Sequence, residues 1–428
     1  MEESDHDIER NQPVRTILKG GVVVNLDDDS PSLQQDVTIE AERIVAVGAS
    51  DPQPGDSVVD VSGMWLIPGL ANLHVHLGWD GTHDLEMQGY ESPAVNAMKA
   101  IMNIHRTLSA GVTTIRDLGM NNANVDAKYA IDNGWAPWIR LFPNGRAICT
   151  TGGHTWWVCR EADGIYGVRQ AIREQFKAGA KWIKIMGSHV REQFTFEELQ
   201  AMCEEAHQNN MKVTAHATFD LAISRVVDAG VDCVEHGGQM TMKTIEKLVE
   251  KDIPIVTTYS PNVQQALFGH LYGMSETDLA ARKASMNDMP RFEGNINFAK
   301  AGGRIIFGTD AGSPAVPHYA IAEEMKFMVK IGVCPDARDV LNAATSRAMV
   351  VLGLEEDLGR VAPGKIADIV ALGGDPLADL DAVADIKKVY VRGMLAISSE
   401  GGYAQAGQDV GDMKTHWGPS PQLEYRLA

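Results

Sequence analysis

Apolar and polar positions in this chain alternate in short blocks rather than in long stripes. Near the start, "TILKGGVVVN", "DVTIEAERIVAVGA" and "SVVDVSGMWLIPGL" are β-branched runs broken by Gly, Asp and Ser turns, the pattern of a small antiparallel β unit. The same texture returns in "GRVAPGKIADIVALGGDPL" and "IKKVYVRGMLAI". The two β-rich ends are expected to form one small β-sandwich, with the middle of the chain inserted between them. In that middle, strands are predicted over "LANLHVHL", "VTTIRDLG", "WIRLFPNG", "KWIKIMGS", "KVTAHAT", "DCVEHGG", "PIVTTYS" and "RIIFGTDAG". Between most of them lie stretches with helical i, i+3, i+4 apolar spacing, such as "GVRQAIREQFKAGA" and "FTFEELQAMCEEAHQNN". Eight strands, each followed by helix-length chain, predict an α/β fold of the (β/α)8 TIM-barrel type. The alternative, a doubly wound open sheet, lacks its glycine fingerprint near the start.

These patterns divide the chain into a disordered N-terminus (1–14), a β-sandwich domain (15–62 plus 358–400), a barrel (63–357) and a C-terminal tail (401–428). A length of 428 residues and a hydrophobic fraction of 44% suit one large domain with a small satellite. The formal net charge of −19 argues against nucleic acid or an anionic membrane as partner, since both need basic patches. Five cysteines form no C-x-x-C pair and no disulfide framework. The first residues are polar and acidic, unlike a secretory signal, and no apolar run approaches the about 20 residues that span a bilayer. A cytoplasmic protein is expected.

Against this background the ionisable residues inside the apolar runs stand out. His74 and His76 are two apart, so a strand projects both to one side. Lys184 lies in "WIKIMG", His216 in "VTAHA", His236 in "VEHG" and Asp310 in "FGTDAG". Each falls near the C-terminal end of a predicted strand, and in a barrel those ends meet at the face where catalytic groups gather. Imidazoles and a carboxylate suit two divalent ions, zinc being the expected metal. A desolvated Lys184 would lose its proton readily and could take up carbon dioxide as a bridging carbamate. His74, His76 and Asp310 would then hold one ion, and His216 and His236 the other. A water between them would be acidified from 15.7 towards roughly 7 and become the nucleophile.

The order of "IPGLANLHVHL", "AGVTTIRDLG", "TGGH", "AGAKWIKIM", "VTAHA", "AGVDCVEHG", "GTDAG" and "AATSRAMVVLGLEEDLGRVAPGKIADIVALGGDPL" resembles the metal-dependent amidohydrolase superfamily. Within it, the likeness is to the imidazolonepropionase-like, prolidase-like and ochratoxinase-like branch, from about residue 15 to 398. The resemblance implies the barrel with its β-sandwich, and the six residues above as metal positions with Lys184 carboxylated. It also implies a homo-oligomer, and Asp310 as the group moving a proton from water to the leaving nitrogen. Asn72 departs from the family's "DxHxH", and the loops after "TGGH" and after Lys184 differ from relatives, so the substrate transfers less well than the chemistry.

The reaction this implies is attack of a metal-bound hydroxide on an amide of a small molecule: an N-acyl amino acid, a dipeptide or an aryl amide such as ochratoxin. The alternatives are a urea-, carbamate- or cyclic-amide hydrolase, a deaminase and, outside enzymes, a catalytically dead scaffold of the same fold. Around the centre, His154 is expected to contact substrate or orient a ligand. Trp156 and Trp157 are expected as an aromatic wall, Arg191 as an anchor for a substrate carboxylate, Tyr259 as a hydrogen-bond donor, and His189 as a further substrate contact. Arg116 and Asp117 read as a structural ion pair.

Overall fold

The computed structural model describes residues 15–82, 84–119 and 121–399, with the backbone of 402–405 and 408–409. The expected disorder of 1–14 lies outside the described residues, as does most of the expected tail.

All eight predicted strands of the middle segment are present and parallel. We number them β1 (Leu70–Val75), β2 (Val112–Asp117), β3 (Arg140–Pro143), β4 (Trp182–Met186), β5 (Lys212–Phe219), β6 (Cys233–Gln239), β7 (Ile255–Thr257) and β8 (Ile305–Phe307). β1–β3 form one sheet; β4–β8 form another with the two-residue strands Ile148–Cys149 and Arg160–Glu161. The sheets are tied at both seams. Between β8 and β1, Val75 bridges Ala311, and the Asn72 amide donates to Thr309 Oγ1 at 2.7 Å. At the other seam, Lys181 N donates to Pro143 O at 2.7 Å. The strands are buried along most of their length, as for a parallel sheet covered on both faces, although β2 and β6 carry several polar residues.

Between strands, the helices start and stop on local signals. Phe196–Gln208 begins with a capping box, Thr195 and Glu198 each satisfying the other's backbone N–H. Gly164–Ala178 ends at Gly179, whose φ of 104° a side chain would resist. Among the described residues, no helix is long and apolar enough to cross a membrane.

The two chain ends do build one unit, but as a single hydrogen-bonded sheet of ten strands rather than as two separate ones. Trp65–Pro68 pairs antiparallel with Ile369–Leu372, which joins the halves. Edge strand Arg43–Gly48 bonds back towards the start of that second half: Ile44 N donates to Lys365 O and Ala367 N to Glu42 O, both at 2.8 Å. The sheet therefore curls round its own core of Leu18, Val37, Ile39, Ile44, Leu66 and Tyr390.

Candidate metal centre

The six residues singled out along the strands line one cavity of about 170 Å³ at the C-terminal ends of the parallel strands. His74 and His76 leave β1 on one side, as their spacing requires. Asp310 follows β8 after a bend: its φ is +59°, and its amide donates to His74 O at 2.9 Å while His76 N donates to Ala311 O at 2.8 Å. The glycines of "FGTDAG" make this approach possible. A Cβ on Gly308 would lie 2.6 Å from Val256 and 2.9 Å from His74 Cβ, and one on Gly312 would lie 2.5 Å from His76 O. His236 is also left-handed, at φ +70°, and its carbonyl accepts from Asn295 Nδ2 at 2.9 Å. Non-glycine residues held there are strained, and such positions cluster at functional sites.

Asp310 Oδ1 lies 3.1 Å from His76 Nε2 and 3.4 Å from His74 Nε2. One ligand atom from each of His74, His236 and Asp310 falls within 4.8 Å of the others. The His74 and His236 rings are 4.7 Å apart, and His216 lies 4.4 Å from His236. Lys184, 1% exposed, lines the same space.

Whether these residues fit a metal is answered by their outer nitrogens. His76 Nδ1 is 2.7 Å from Gly119 O, which can only accept, so Nδ1 carries a hydrogen and Nε2 is the nitrogen turned towards Asp310 and the cavity. His74 Nδ1 meets Glu235 Oε2 at 2.7 Å, and His236 Nδ1 meets Thr258 Oγ1 at 2.6 Å. Imidazoles that ligate metals are oriented in this way. Burial, with Lys184 adding to it, lowers the His74 pKa to about 4, and burial holds His216 and His236 well below the usual value. All three stay neutral, the ligating form. Burial opposes protonation of His76 too, but the hydrogen bond and charge of Asp310 outweigh it and raise its pKa. Burial also opposes ionisation of Asp310, yet the surrounding histidines keep it well below the carboxylate range. Burial pulls the Lys184 ammonium down to about 8, against Glu235 and Asp310. The donor set fits a divalent metal.

Glu235, absent from the sequence expectations, is fully buried behind His74. Its Oε1 accepts from Arg116 Nη2 at 2.5 Å and from the Thr214 hydroxyl. Arg116 also donates through Nε to Leu73 O at 2.9 Å. The expected Arg116–Asp117 ion pair is thus corrected, because neighbours on a strand face opposite ways. Asp117 instead accepts from Leu77 N (2.6 Å), Gly119 N (2.8 Å) and Asn124 Nδ2 (2.7 Å), fixing the loop that offers Gly119 O to His76.

The residues expected to meet substrate divide. His154 lines the cavity, its ring between His216 at 4.7 Å and His189 at 4.5 Å, and burial lowers it to about 4. His189 itself is exposed and reaches the cavity only through that stack. Arg191 is exposed on the loop after β4 and is not among the residues lining the cavity. Trp156 is 42% exposed, and Trp157 packs against Gly89, where a Cβ would meet it at 2.4 Å, and behind the cavity-lining Trp79, Val158 and Met186 rather than in the lining itself. Tyr259 is buried between Phe292 and Phe327, its hydroxyl accepting from Asn295 Nδ2 at 3.0 Å. The tryptophan that lines the cavity is Trp79, which follows β1 and packs 4.8 Å from His76. A tryptophan three residues beyond the second histidine was the available signal.

The amidohydrolase family pattern matches residues 65–396. An ochratoxinase from Aspergillus niger is 28% identical over 418 residues, covering 87% of this chain and 84% of that protein. A crystal structure of a prolidase complexed with N-methylphosphonate-L-proline is 30% identical with a TM-score of 0.80, covering 89% of this chain and 99% of its own. A Xaa-Pro dipeptidase with methionine bound in its active site is 25% identical with a TM-score of 0.79, over 89% and 99% of the two chains.

Proposed function

Because the chain belongs to the amidohydrolase family and is a hydrolase acting on carbon–nitrogen bonds, we propose that its metal pocket cleaves the amide of an N-acyl amino acid or dipeptide, aryl amides included. We read β1–β8 as one closed (β/α)8 ring, a reading supported by the hydrogen bonds at both seams. His74, His76 and Asp310 would hold one divalent ion and His216 and His236 a second, with zinc the expected metal. Lys184, as the neutral amine, would add carbon dioxide to give a carbamate and release one proton, supplying two further oxygen donors to the site. When bound, the metals would supply Lewis acidity, acidifying a water and polarising the scissile carbonyl.

The chain's own groups do the rest. Asp310 takes a proton from the attacking water at its carboxylate and passes it to the leaving nitrogen. Glu235 keeps the His74 ring in the tautomer that points Nε2 inward. Trp79 and His154 wall the cavity and exclude bulk water from the reacting atoms.

The observation that carries this reading is the convergence of His74, His236 and Asp310 within 4.8 Å, with the histidines' outer nitrogens already occupied. It is tested by counting metal per chain in protein purified without chelator, alongside Lys184→Ala, with a hydrolysis screen over Xaa-Pro dipeptides, N-acyl amino acids and ochratoxin. Two ions per chain, lost with activity in the variant, support it. One ion, unaffected by the variant, removes the bridging lysine; a full complement of metal with no hydrolysis of any amide removes the reaction. One observation favours a second reading, a neutral urea, carbamate or cyclic amide as substrate: among the described residues, no arginine lines the cavity. Turnover of neutral ureas with no turnover of the acidic amides would select it.

A further inference from the structure

A second basin lies at the opposite, N-terminal ends of β3, β4 and β5. It encloses about 510 Å³, against about 170 Å³ at the metal pocket. Its floor is apolar: Ile131, Leu141 and Val391 are each at most 4% exposed. Its rim carries five cations, Lys128, Arg140, Lys181, Lys212 and Arg392, and one carboxylate, Asp132. In a chain of net charge −19 this concentration of positive charge runs against the composition.

Three of the cations are matched. Arg140 pairs with Asp368 at 2.6 Å, Arg392 with Glu42 at 2.6 Å, and Lys128 with Asp132. Lys181 and Lys212 make no ion pair among the described residues. Lys212 is nonetheless held in place, donating to Val351 O at 2.8 Å with its ammonium 5.5 Å from the Trp182 ring. A carbonyl and a ring face fix the ammonium without cancelling its charge. Trp138 stands at the rim, 37% exposed, with the Arg392 guanidinium 4.6 Å from its ring. The basin therefore offers an apolar floor, an indole at its edge and about two uncompensated positive charges.

We infer that this basin is a second ligand site, taking a small organic dianion whose flat apolar body lies on the floor and whose phosphate or paired-carboxylate head meets Lys181 and Lys212. It is independent of the reaction at the other end of the strands. Apolar burial holds the body while the ammonium groups select the charge, the usual division of labour in a pocket with few polar groups.

Titration calorimetry on the full chain, with phenyl phosphate as probe and inorganic phosphate and benzyl alcohol as comparisons, tests this. The expected result is one phenyl phosphate per chain, weakened by salt, and about tenfold or more weaker in the Lys181→Gln/Lys212→Gln double variant, with binding intact in His236→Ala. Unchanged thermal unfolding of the lysine variant excludes loss of fold as the cause. No binding of phenyl phosphate overturns the proposal, as does binding lost in His236→Ala and kept in the lysine variant, which puts the anion in the metal pocket. Benzyl alcohol binding equally well would show that charge is not read, and inorganic phosphate binding equally well that the floor is not used; either overturns the site as stated.

Discussion

His74 Nδ1 and Glu235 Oε2 lie 2.7 Å apart, both side chains 1% exposed or less, on strands that are not neighbours in either parallel sheet. Glu235 also accepts from Arg116, Thr214 and, more weakly, the Cys233 thiol, so the imidazole is the end of a fixed chain of hydrogen bonds rather than a free ring. Glu235→Gln keeps the shape but leaves the Arg116 guanidinium buried and uncompensated. The variant should lose about 3–5 kcal/mol of stability and bind metal roughly 10–100-fold more weakly. Thermal unfolding and competitive metal titration would measure these separately, and unchanged metal affinity would refute the orienting role.

Glu324 gives a pH dependence of defined sign. Burial, only partly offset by hydrogen bonds from Ser260 and Tyr259, raises its pKa from 4.5 to about 8. Between those values the folded protein holds a proton that the unfolded chain has released. Its contribution to stability is complete below pH 4.5 and is lost as pH rises towards 8, with a limiting slope of about 1.4 kcal/mol per pH unit. Glu324→Gln should flatten the fall in stability across this window. Parallel slopes for the two proteins in denaturant titrations at several pH values would count against it.

Metal removal should destabilise the fold, because the donors come from the ends of several strands. Dialysis against a chelator is expected to lower Tm, and added Zn2+ to restore it; an excess of 100-fold over Kd corresponds to about 2.7 kcal/mol. A Tm indifferent to chelation and metal would argue that these donors do not bind the ion in the folded state.

Among the aromatics, the expected ranking reverses the sequence-based one. Trp79→Ala should cut activity sharply, since Trp79 lines the cavity beside His76. Trp156→Ala should leave kcat and KM close to wild type. Tyr259→Phe removes only the hydrogen bond from Asn295 and should cost about 0.5–1.5 kcal/mol of stability with little effect on turnover. Steady-state kinetics on the three variants decide this, and a Tyr259→Phe enzyme crippled at full stability would return the hydroxyl to the site.

Which parts of this were legible in the sequence follows from the range of the interactions involved. His74 and His76 could be read because a strand's two-residue period is local, and the strand candidates because each apolar run is bounded by its own turns. Glu235 could not: its meaning depends on Arg116 from β2 and on the backbone bend at His236. The loop residues Arg191, Trp156 and Trp157 have no period to orient them, so closeness in sequence to Lys184 or His154 did not translate into a place in the cavity lining. The terminal strands were recognised individually, but the bonding of Ile44 back to Lys365, which makes them one curled sheet, joins residues most of the chain apart.

The seam between β1 and β8 has a consequence for how the protein is made. Asp310 donates its amide to His74 O, and His76 to Ala311 O, so two of the hydrogen bonds that join the first parallel strand to the last are made by residues that bring carboxylate and imidazoles together. A chain emerging from the ribosome holds His74 and His76 early, yet has no complete binding set until β8 has been synthesised and docked. Partly folded or truncated chains should therefore hold metal poorly, and metal retention becomes a reporter of finished folding. An ion bound at that point would act as a latch on the docked strands, favouring the folded state over every intermediate that precedes it.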